Sequence, residues 1–248
     1  MADHRRLNSG VVRKGPVKAR QLDRELLRAD DRDWSHGDPW RVLRIQTEFV
    51  EGFEALEDLG PAVSIFGSAR IKEGDALFQA AHDMGKGLAS RGVAVITGAG
   101  PGIMEAANRG ADEMGGVSVG LGIELPFEES MNNSVNLGIM FRYFFARKVM
   151  FLKYAQGFIA LPGGFGTFDE LFETLTLIQT GVVQDLPLVL FGRDYWTGLI
   201  DWLGKTMVGR GYISPGDMNL ITLTDDVDEA VAAACAQISG GPRPQKEG

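Results

Sequence analysis

Cysteine is almost missing from this chain: among 248 residues there is one, Cys235. No intrachain disulfide can form, and no cysteine cluster can hold zinc. Histidine is scarce as well, and His36 and His82 have no partners at ligand spacing, so both read as surface residues and no metal or redox centre is expected. No apolar run approaches the roughly 18 residues of a membrane-spanning helix. The first residues, with Asp3, Arg5 and Arg6 and no apolar stretch behind them, do not read as a secretory signal. The expectation is a cytoplasmic protein with no membrane partner. Cations are outnumbered, 25 Lys and Arg against 33 Asp and Glu for a net charge of −8. General nucleic-acid binding depends on clustered cations that release counterions, so nucleic acid is not an expected partner. The Walker pattern, a glycine loop running into a phosphate lysine after a strand, is also absent, which argues against a magnesium triphosphate.

What is present is enough apolar material for a full core, 44% of the residues. The first thirty residues carry Arg5, Arg6, Arg13, Lys14, Lys18, Arg20, Arg24 and Arg28, a basic arm on an acidic body that reads as solvated and flexible. Residues 1–38 therefore read as a polar tail with one short helix near 21–28, broken off by Gly37-Asp38-Pro39. A single domain is expected over 39–239, and Gly240-Gly241-Pro242 opens a disordered tail at 240–248.

The domain begins with a helix over 40–58, in which Val42, Ile45, Phe49, Phe53 and Leu56 fall on one face. Strands and helices then alternate. Strands are predicted at 62–66, 93–97, 117–123, 137–141, 158–161, 187–191 and 220–223. Helices are predicted at 75–90, 102–114, 143–155, 167–180, 195–208 and 227–238. That order describes an α/β fold, a Rossmann-like doubly wound parallel sheet with helices on both faces. Ligands of such sheets sit beyond the carboxyl ends of the strands, and every glycine segment discussed below falls at a strand end.

The most informative segment is Pro162-Gly163-Gly164-Phe165-Gly166-Thr167-Phe168-Asp169-Glu170. An apolar strand, a glycine turn and an acidic helix aim backbone N–H groups and a helix N-terminus at an anion. The plain alternative is turn chemistry, with Thr167 as N-cap and Glu170 closing a capping box. A second glycine run, Gly98-Ala99-Gly100-Pro101-Gly102, has Gly-x-Gly-x-Gly spacing and fits a dinucleotide fingerprint poorly. The helix carrying Arg147 and Lys148 is otherwise aromatic and aliphatic; its two cations need either water or an anionic partner.

Pro-Gly-Gly-x-Gly-Thr-x-x-Glu, preceded by Arg147-Lys148 and by Ile65-Phe66-Gly67-Ser68-Ala69 and Thr97-Gly98-Ala99-Gly100-Pro101-Gly102-Ile103-Met104-Glu105, resembles the signature of the Lonely Guy family. These are cytokinin-activating phosphoribohydrolases, also long labelled lysine decarboxylases. The resemblance covers roughly residues 60 to 235. It implies cleavage of the N-glycosidic bond of a nucleoside 5′-monophosphate, AMP or an N6-modified AMP, to free base and ribose 5-phosphate, with no cofactor and no metal. It matches the family's functional arginine to Arg147 and its glutamate to Glu170. It also implies a homodimer at minimum, extendable to larger assemblies of dimers.

In that chemistry Glu170 faces an oxocarbenium-like centre while Arg147 holds a phosphate or a ribose hydroxyl in a fixed fork. Substrate contacts are expected from Gly67, Ser68, Gly100, Gly102, Met104, Glu105, Lys148, Pro162, Gly163, Gly164, Gly166, Thr167 and Glu173. Met104 has a core reading beside a base-pocket one, and Ser68 a turn reading beside a ligand one. Asp169 is expected to point away and complement the helix dipole. Residues 128–134 are polar enough for a flap. Tyr195, Trp196 and Trp202 are expected to be exposed and to offer apolar surface for assembly. The same fold and glycine loop also resemble molybdenum-cofactor carrier proteins, the non-catalytic alternative. A pyridoxal phosphate decarboxylase is disfavoured because no lysine lies in the glycine loops. A DNA-processing relative is disfavoured by the charge.

Overall fold

The structure, a computed structural model, describes residues 34–124, 131–183 and 186–238. In chain order its regular elements are α1 (Trp34–Leu56), β1 (Ala62–Phe66), α2 (Ala76–Ala89), β2 (Ala94–Thr97), α3 (Ile103–Glu113), β3 (Ser118–Ile123), β4 (Leu137–Phe141), α4 (Phe144–Tyr154), β5 (Phe158–Ala160), α5 (Phe165–Gln179), β6 (Leu188–Phe191), α6 (Arg193–Trp202), β7 (Ile221–Thr224) and α7 (Val227–Ala234). The seven strands form one sheet in the order β4-β3-β2-β1-β5-β6-β7, and every pair is parallel.

Alternation along the strands divides the core into two layers. Ala62, Phe66, Ile96, Leu121, Phe158 and Leu190 face one side, under Leu56 of α1, Met150 and Phe151 of α4, Leu171 of α5 and Trp196 of α6. Val63, Ile65, Val95, Ile159 and Val189 face the other, under Met84 of α2, Ile103 of α3 and Val231 of α7. Both faces are covered, so the strands read as near-continuous apolar runs.

Strand order reverses about β1, with β2 on one flank and β5 on the other. At such a switch point the loops after neighbouring strands part and leave a crevice at their carboxyl ends. Here those loops are Gly67-Ser68 after β1, Gly98–Gly102 after β2 and Pro162–Gly166 after β5. The fold thus gathers three glycine segments, up to about a hundred residues apart in the chain, along one edge.

Several expectations are corrected. α1 begins at Trp34 and runs through Gly37-Asp38-Pro39, where a break before 40 is expected; the proline falls in the second turn, and the helix continues past the one backbone hydrogen bond it removes. The helix expected at 195–208 is α6 followed by a π-helical turn, Leu203–Val208. That turn holds a Gly-Lys-Thr at 204–206, with Leu199 where the Walker spacing requires glycine and with Lys205 paired to Asp201 at 2.8 Å, so it is no phosphate loop. Trp196 is buried, not exposed: its indole N–H donates to the Phe191 carbonyl at 3.0 Å, whereas Tyr195 and Trp202 do reach solvent. His82 is half-buried, with Nε2 3.0 Å from Glu113. The basic arm and the first half of the 128–134 segment lie outside the described residues.

Candidate active site

α5 begins with Phe165, and its N-cap is Gly164, with no side-chain capping bond. Thr167 is thus the third helical residue and not the N-cap, so the capping-box account of Glu170 fails. Glu170 stands a turn inside the helix, 8% exposed, and is released for another purpose.

Its surroundings come from α4. Lys148 Nζ lies 2.8 Å from Asp169 Oδ2, 3.7 Å from Glu170 Oε1 and 2.6 Å from Glu173 Oε2. Asp169 therefore turns toward Lys148 and not away from it, contrary to expectation, and Glu173 joins from the next turn. Burial pushes the Glu170 carboxyl up to about 7; the charges of Lys148 and Arg147 pull it down only in part, and Glu173 and Asp169 add to the rise. For Lys148, burial lowers the pKa, but hydrogen bonds to Asp169 and Glu173 and the charge of Glu170 more than offset this and hold it above the usual range.

Arg147, one residue before Lys148, is near enough for its charge to act on Glu170 and also reaches the β2 loop. Its guanidinium carbon lies 5.2 Å from the centre of the Phe151 ring. A side chain at Gly98 would collide with Arg147 Nη2, and one at Gly100 would sit 2.7 Å from Met104 Cε. The second turn of α4 thus bridges the β2 loop, through Arg147, and the carboxylates of α5, through Lys148.

The loops are locked together backbone to backbone. Ser68 N–H donates to the Pro162 carbonyl at 3.0 Å, and Ile103 N–H to the Ser68 carbonyl at 3.1 Å. Gly102 has φ +70°, and a Cβ there would lie 2.5 Å from the Ser68 carbonyl oxygen, so only glycine fits. Ser68 Oγ accepts from Arg70 N–H at 3.1 Å, the turn role weighed for it. Tyr195 donates its hydroxyl to the Gly163 carbonyl at 2.6 Å. Gly164 and Gly166 differ: a Cβ at either would meet no atom of the chain within 4 Å. Packing within the chain does not require these two glycines, and the space in front of them is open to a ligand.

Sequence reasoning missed a buried polar network beneath the β2 loop. Thr97 Oγ1 donates to Asn108 Oδ1 at 2.5 Å, and Asn108 Nδ2 donates to Ser118 Oγ at 2.8 Å. Asn132 Nδ2 donates to the Gly100 carbonyl at 3.1 Å and to Asn108 Oδ1 at 3.0 Å, and its backbone N–H to the Ala99 carbonyl at 2.8 Å. These bonds hold Ala99 at φ +65°, the one non-glycine residue with positive φ among those described. Asn132, expected in a mobile flap, is thus an anchor. A readable signal was Asn108 on the apolar face of α3.

An open cleft of about 470 Å³ lies on the α3 side of the loops, lined by Arg70, Lys72, Phe78, Gly102, Glu105 and Arg109 among others. Glu105 is paired there with Arg109 at 3.2 Å, one helical turn on. The cleft contains neither Arg147 nor Glu170. Burial of an ionisable carboxylate beside two cations is the stronger mark of chemistry, which makes Glu170 the centre of the candidate site.

The family described as "Possible lysine decarboxylase" matches residues 104–234, more than half of the chain. The chain is 33% identical over 163 residues to the cytokinin riboside 5′-monophosphate phosphoribohydrolase of Mycobacterium tuberculosis, 64% of this chain and 86% of the relative. To the enzyme of that name in Rhodococcoides fascians it is 29% identical over 175 residues, 69% of this chain and 88% of the relative. The chain belongs to the Lonely Guy family. Its fold is similar to that of the molybdenum cofactor carrier protein of Chlamydomonas reinhardtii, with a TM-score of 0.53 at 24% identity over 72% of this chain and 98% of that one. The Lonely Guy signature segments are the three glycine loops and the Arg147-Lys148 pair, and the tertiary structure brings all of them to one edge of the sheet. α1 precedes the residues that the family matches.

Proposed function

We propose that this chain hydrolyses the N-glycosidic bond of a nucleoside 5′-monophosphate, AMP or an N6-modified AMP, releasing the free base and ribose 5-phosphate. The observation that carries the reading is Glu170, a buried carboxylate raised to about 7 between Lys148 and Arg147, beside a strand-end glycine loop with open space before Gly164 and Gly166. The names of the Lonely Guy relatives support the same reaction.

In this reading the 5′-phosphate lies at the start of α5, against the amides of Gly163, Gly164, Gly166 and Thr167, with Pro162 shaping the turn and Gly67 and Ser68 closing the cradle. Arg147 supplies a bidentate fork to the phosphate or a ribose hydroxyl. Gly100 and Met104 border the base, while Gly102 and Glu105 line the neighbouring cleft on the α3 side. As the bond from C1′ to the base nitrogen breaks, positive charge grows on the ribose ring, and the Glu170 carboxylate stabilises it and orients the water that adds at C1′. The water supplies hydroxyl to the sugar and, in net, a proton to the departing nitrogen. Lys148, held by Asp169 and Glu173, keeps Glu170 in place and partly ionised at neutral pH.

A Schiff-base lysine needs to lose its proton readily. Lys148 sits among three carboxylates that raise its pKa, which argues against the decarboxylase chemistry in the family's description. The carrier function named for the structural neighbour is the second reading.

We further propose a homodimer, with larger assemblies built from it, on the apolar faces that α1 and α4 leave exposed: Trp40, Val50, Phe144, Phe145 and Val149. We also propose residence in the cytoplasm. Among the described residues no helix is long and apolar enough to cross a membrane.

The test is chromatographic detection of base released from AMP and from N6-isopentenyl-AMP, with Glu170→Gln alongside. Release by wild type and a loss of about 10²-fold or more in the variant is expected, the scale on which a key electrostatic group acts. Monophosphate binding without release from either nucleotide would replace hydrolysis with the carrier reading.

A further inference from the structure

Glu48 is a buried carboxylate with no part in the chemistry above. It lies on α1, on the stripe formed by Ile45, Phe49, Gly52 and Leu56, where a charged residue has no business unless something holds it. It is 3% exposed. Its partners are two backbone amides at the start of α4: Arg142 N–H donates to Oε1 at 2.9 Å and Tyr143 N–H to Oε2 at 3.2 Å. Tyr143 is the N-cap of α4 and makes no capping bond with its own side chain, so a residue about ninety-five positions earlier does that work.

The contact is part of a fitted seam. A Cβ at Gly52 would lie 2.8 Å from Met150 Cε, and Tyr154 donates its hydroxyl to the Phe53 carbonyl at 3.2 Å. α1 therefore reaches α4 along its length, and Glu48 grips its first turn. One turn later on α4 come Arg147, whose N–H donates to the Tyr143 carbonyl at 3.3 Å, and Lys148.

We propose that Glu48 is a positioning residue: by binding the amides of Arg142 and Tyr143 it sets the place of α4, and with it the reach of Arg147 to the β2 loop and of Lys148 to Glu170. The inference rests on the reading of Arg147 and Glu170 as substrate-facing groups. It gives α1, which lies outside the family-matched residues, a role in the site.

The carboxylate form is the one that works. Ionised, Glu48 accepts from both amides and complements the positive end of α4; protonated, one oxygen becomes a donor facing an N–H. The charged groups around it are Arg142, with Nη1 3.9 Å from Oε1, and Glu124, 3.5 Å from Arg142 Nε; on α1 itself Arg44 and Glu51 stand about one turn away on either side. Burial raises Glu48 to about 7 against the pull of these amides and of Arg142, so across neutrality the buried group passes from the protonated form to the form that accepts from both amides.

Glu48→Gln copies the protonated form: it accepts from one amide and opposes the other with its NH2. The experiment measures kcat for base release from AMP in the full chain and the variant from pH 5.5 to 8.5, with AMP affinity by calorimetry across the same range. Wild type should exceed the variant about tenfold at pH 8.5, and the two should converge toward equality at pH 5.5. A merely structural loss would give a ratio independent of pH, and that result, or equal rates throughout, overturns the proposal. Wild type that binds AMP and releases no base sinks the hydrolase reading instead; Glu48 is then judged by whether the affinity ratio converges in the same way. Should the variant fail to fold, wild-type hydrogen exchange decides. Opening of the first turn of α4 hydrates Glu48 and lets it ionise, so protection of the Arg142 and Tyr143 amides, corrected for intrinsic rates, should fall about tenfold between pH 5.5 and pH 8, and protection that does not change with pH overturns the proposal.

Discussion

Replacing Glu170 with glutamine should make the protein less active and, above neutral pH, more stable. The sign follows from the raised carboxyl. Glu170 titrates near 7 in the folded chain and near 4.5 when unfolded. Between those values the folded state holds a proton that the unfolded state has released, so stability falls as pH rises from about 4.5 to 7 and levels off above. A shift of that size corresponds to about 3 kcal/mol. Glutamine keeps the shape, stays neutral at every pH and removes this loss. It also leaves no orphaned cation, because Lys148 retains Asp169 at 2.8 Å and Glu173 at 2.6 Å. At pH 8 the variant should therefore exceed wild type by up to about 3 kcal/mol, roughly 6–12 °C in melting temperature for a domain of this size. At pH 4.5 the two should nearly coincide. Urea unfolding of both proteins from pH 4.5 to 8 reads the difference directly. Parallel stability curves would refute the reasoning, since they would mean that Glu170 carries no buried charge to relieve.

Gly98→Ala should leave the melting temperature within a few degrees, since its Cβ meets the mobile ends of Arg147 and Met104 and no backbone, yet lower kcat/KM at least tenfold by pushing Arg147 aside; thermal scans and base release check both halves. Gly166→Ala should hold or raise stability by up to about 1 kcal/mol because the new methyl meets only open space within a helix, while calorimetry should show AMP affinity falling tenfold or more if the phosphate lies there. Asn132→Ala removes the bonds to the Gly100 carbonyl and Asn108 Oδ1 and should cost about 1–2 kcal/mol in urea unfolding, with a loss of base release as the β2 loop relaxes.

The sheet was legible in the residues because a parallel strand buried on both faces must be apolar throughout and must end where glycine lets the chain turn. That pattern located all seven strands within a residue or so. It placed the glycine segments at strand ends, whereas Arg147 and Glu170 were singled out by the family resemblance and not by the pattern. Local rules misjudged the start of α5. Thr-x-x-Glu is a sound capping box in isolation, but Tyr195 and Ser68 tie the preceding loop to α6 and β1, and the helix starts two residues earlier. Trp196 was misjudged for a related reason, since which face of α6 lies on the sheet depends on how the neighbouring elements pack.

By itself, then, the sequence determined the fold class and the family, because these depend on periodicity and on residue type at fixed spacing, and through the family resemblance it pointed to Arg147 and Glu170 as candidates. The tertiary structure alone decided the environment of those residues. The strand-order reversal about β1 brings three loops to one edge, α4 sets Lys148 among the carboxylates of α5, and burial there moves Glu170 to about 7. Glu48 shows the division most plainly. Its place on an apolar stripe is visible in the chain, but its partners stand ninety-four and ninety-five residues away. Desolvation and charge pairing are properties of neighbours in space, and neighbours in space are what packing supplies.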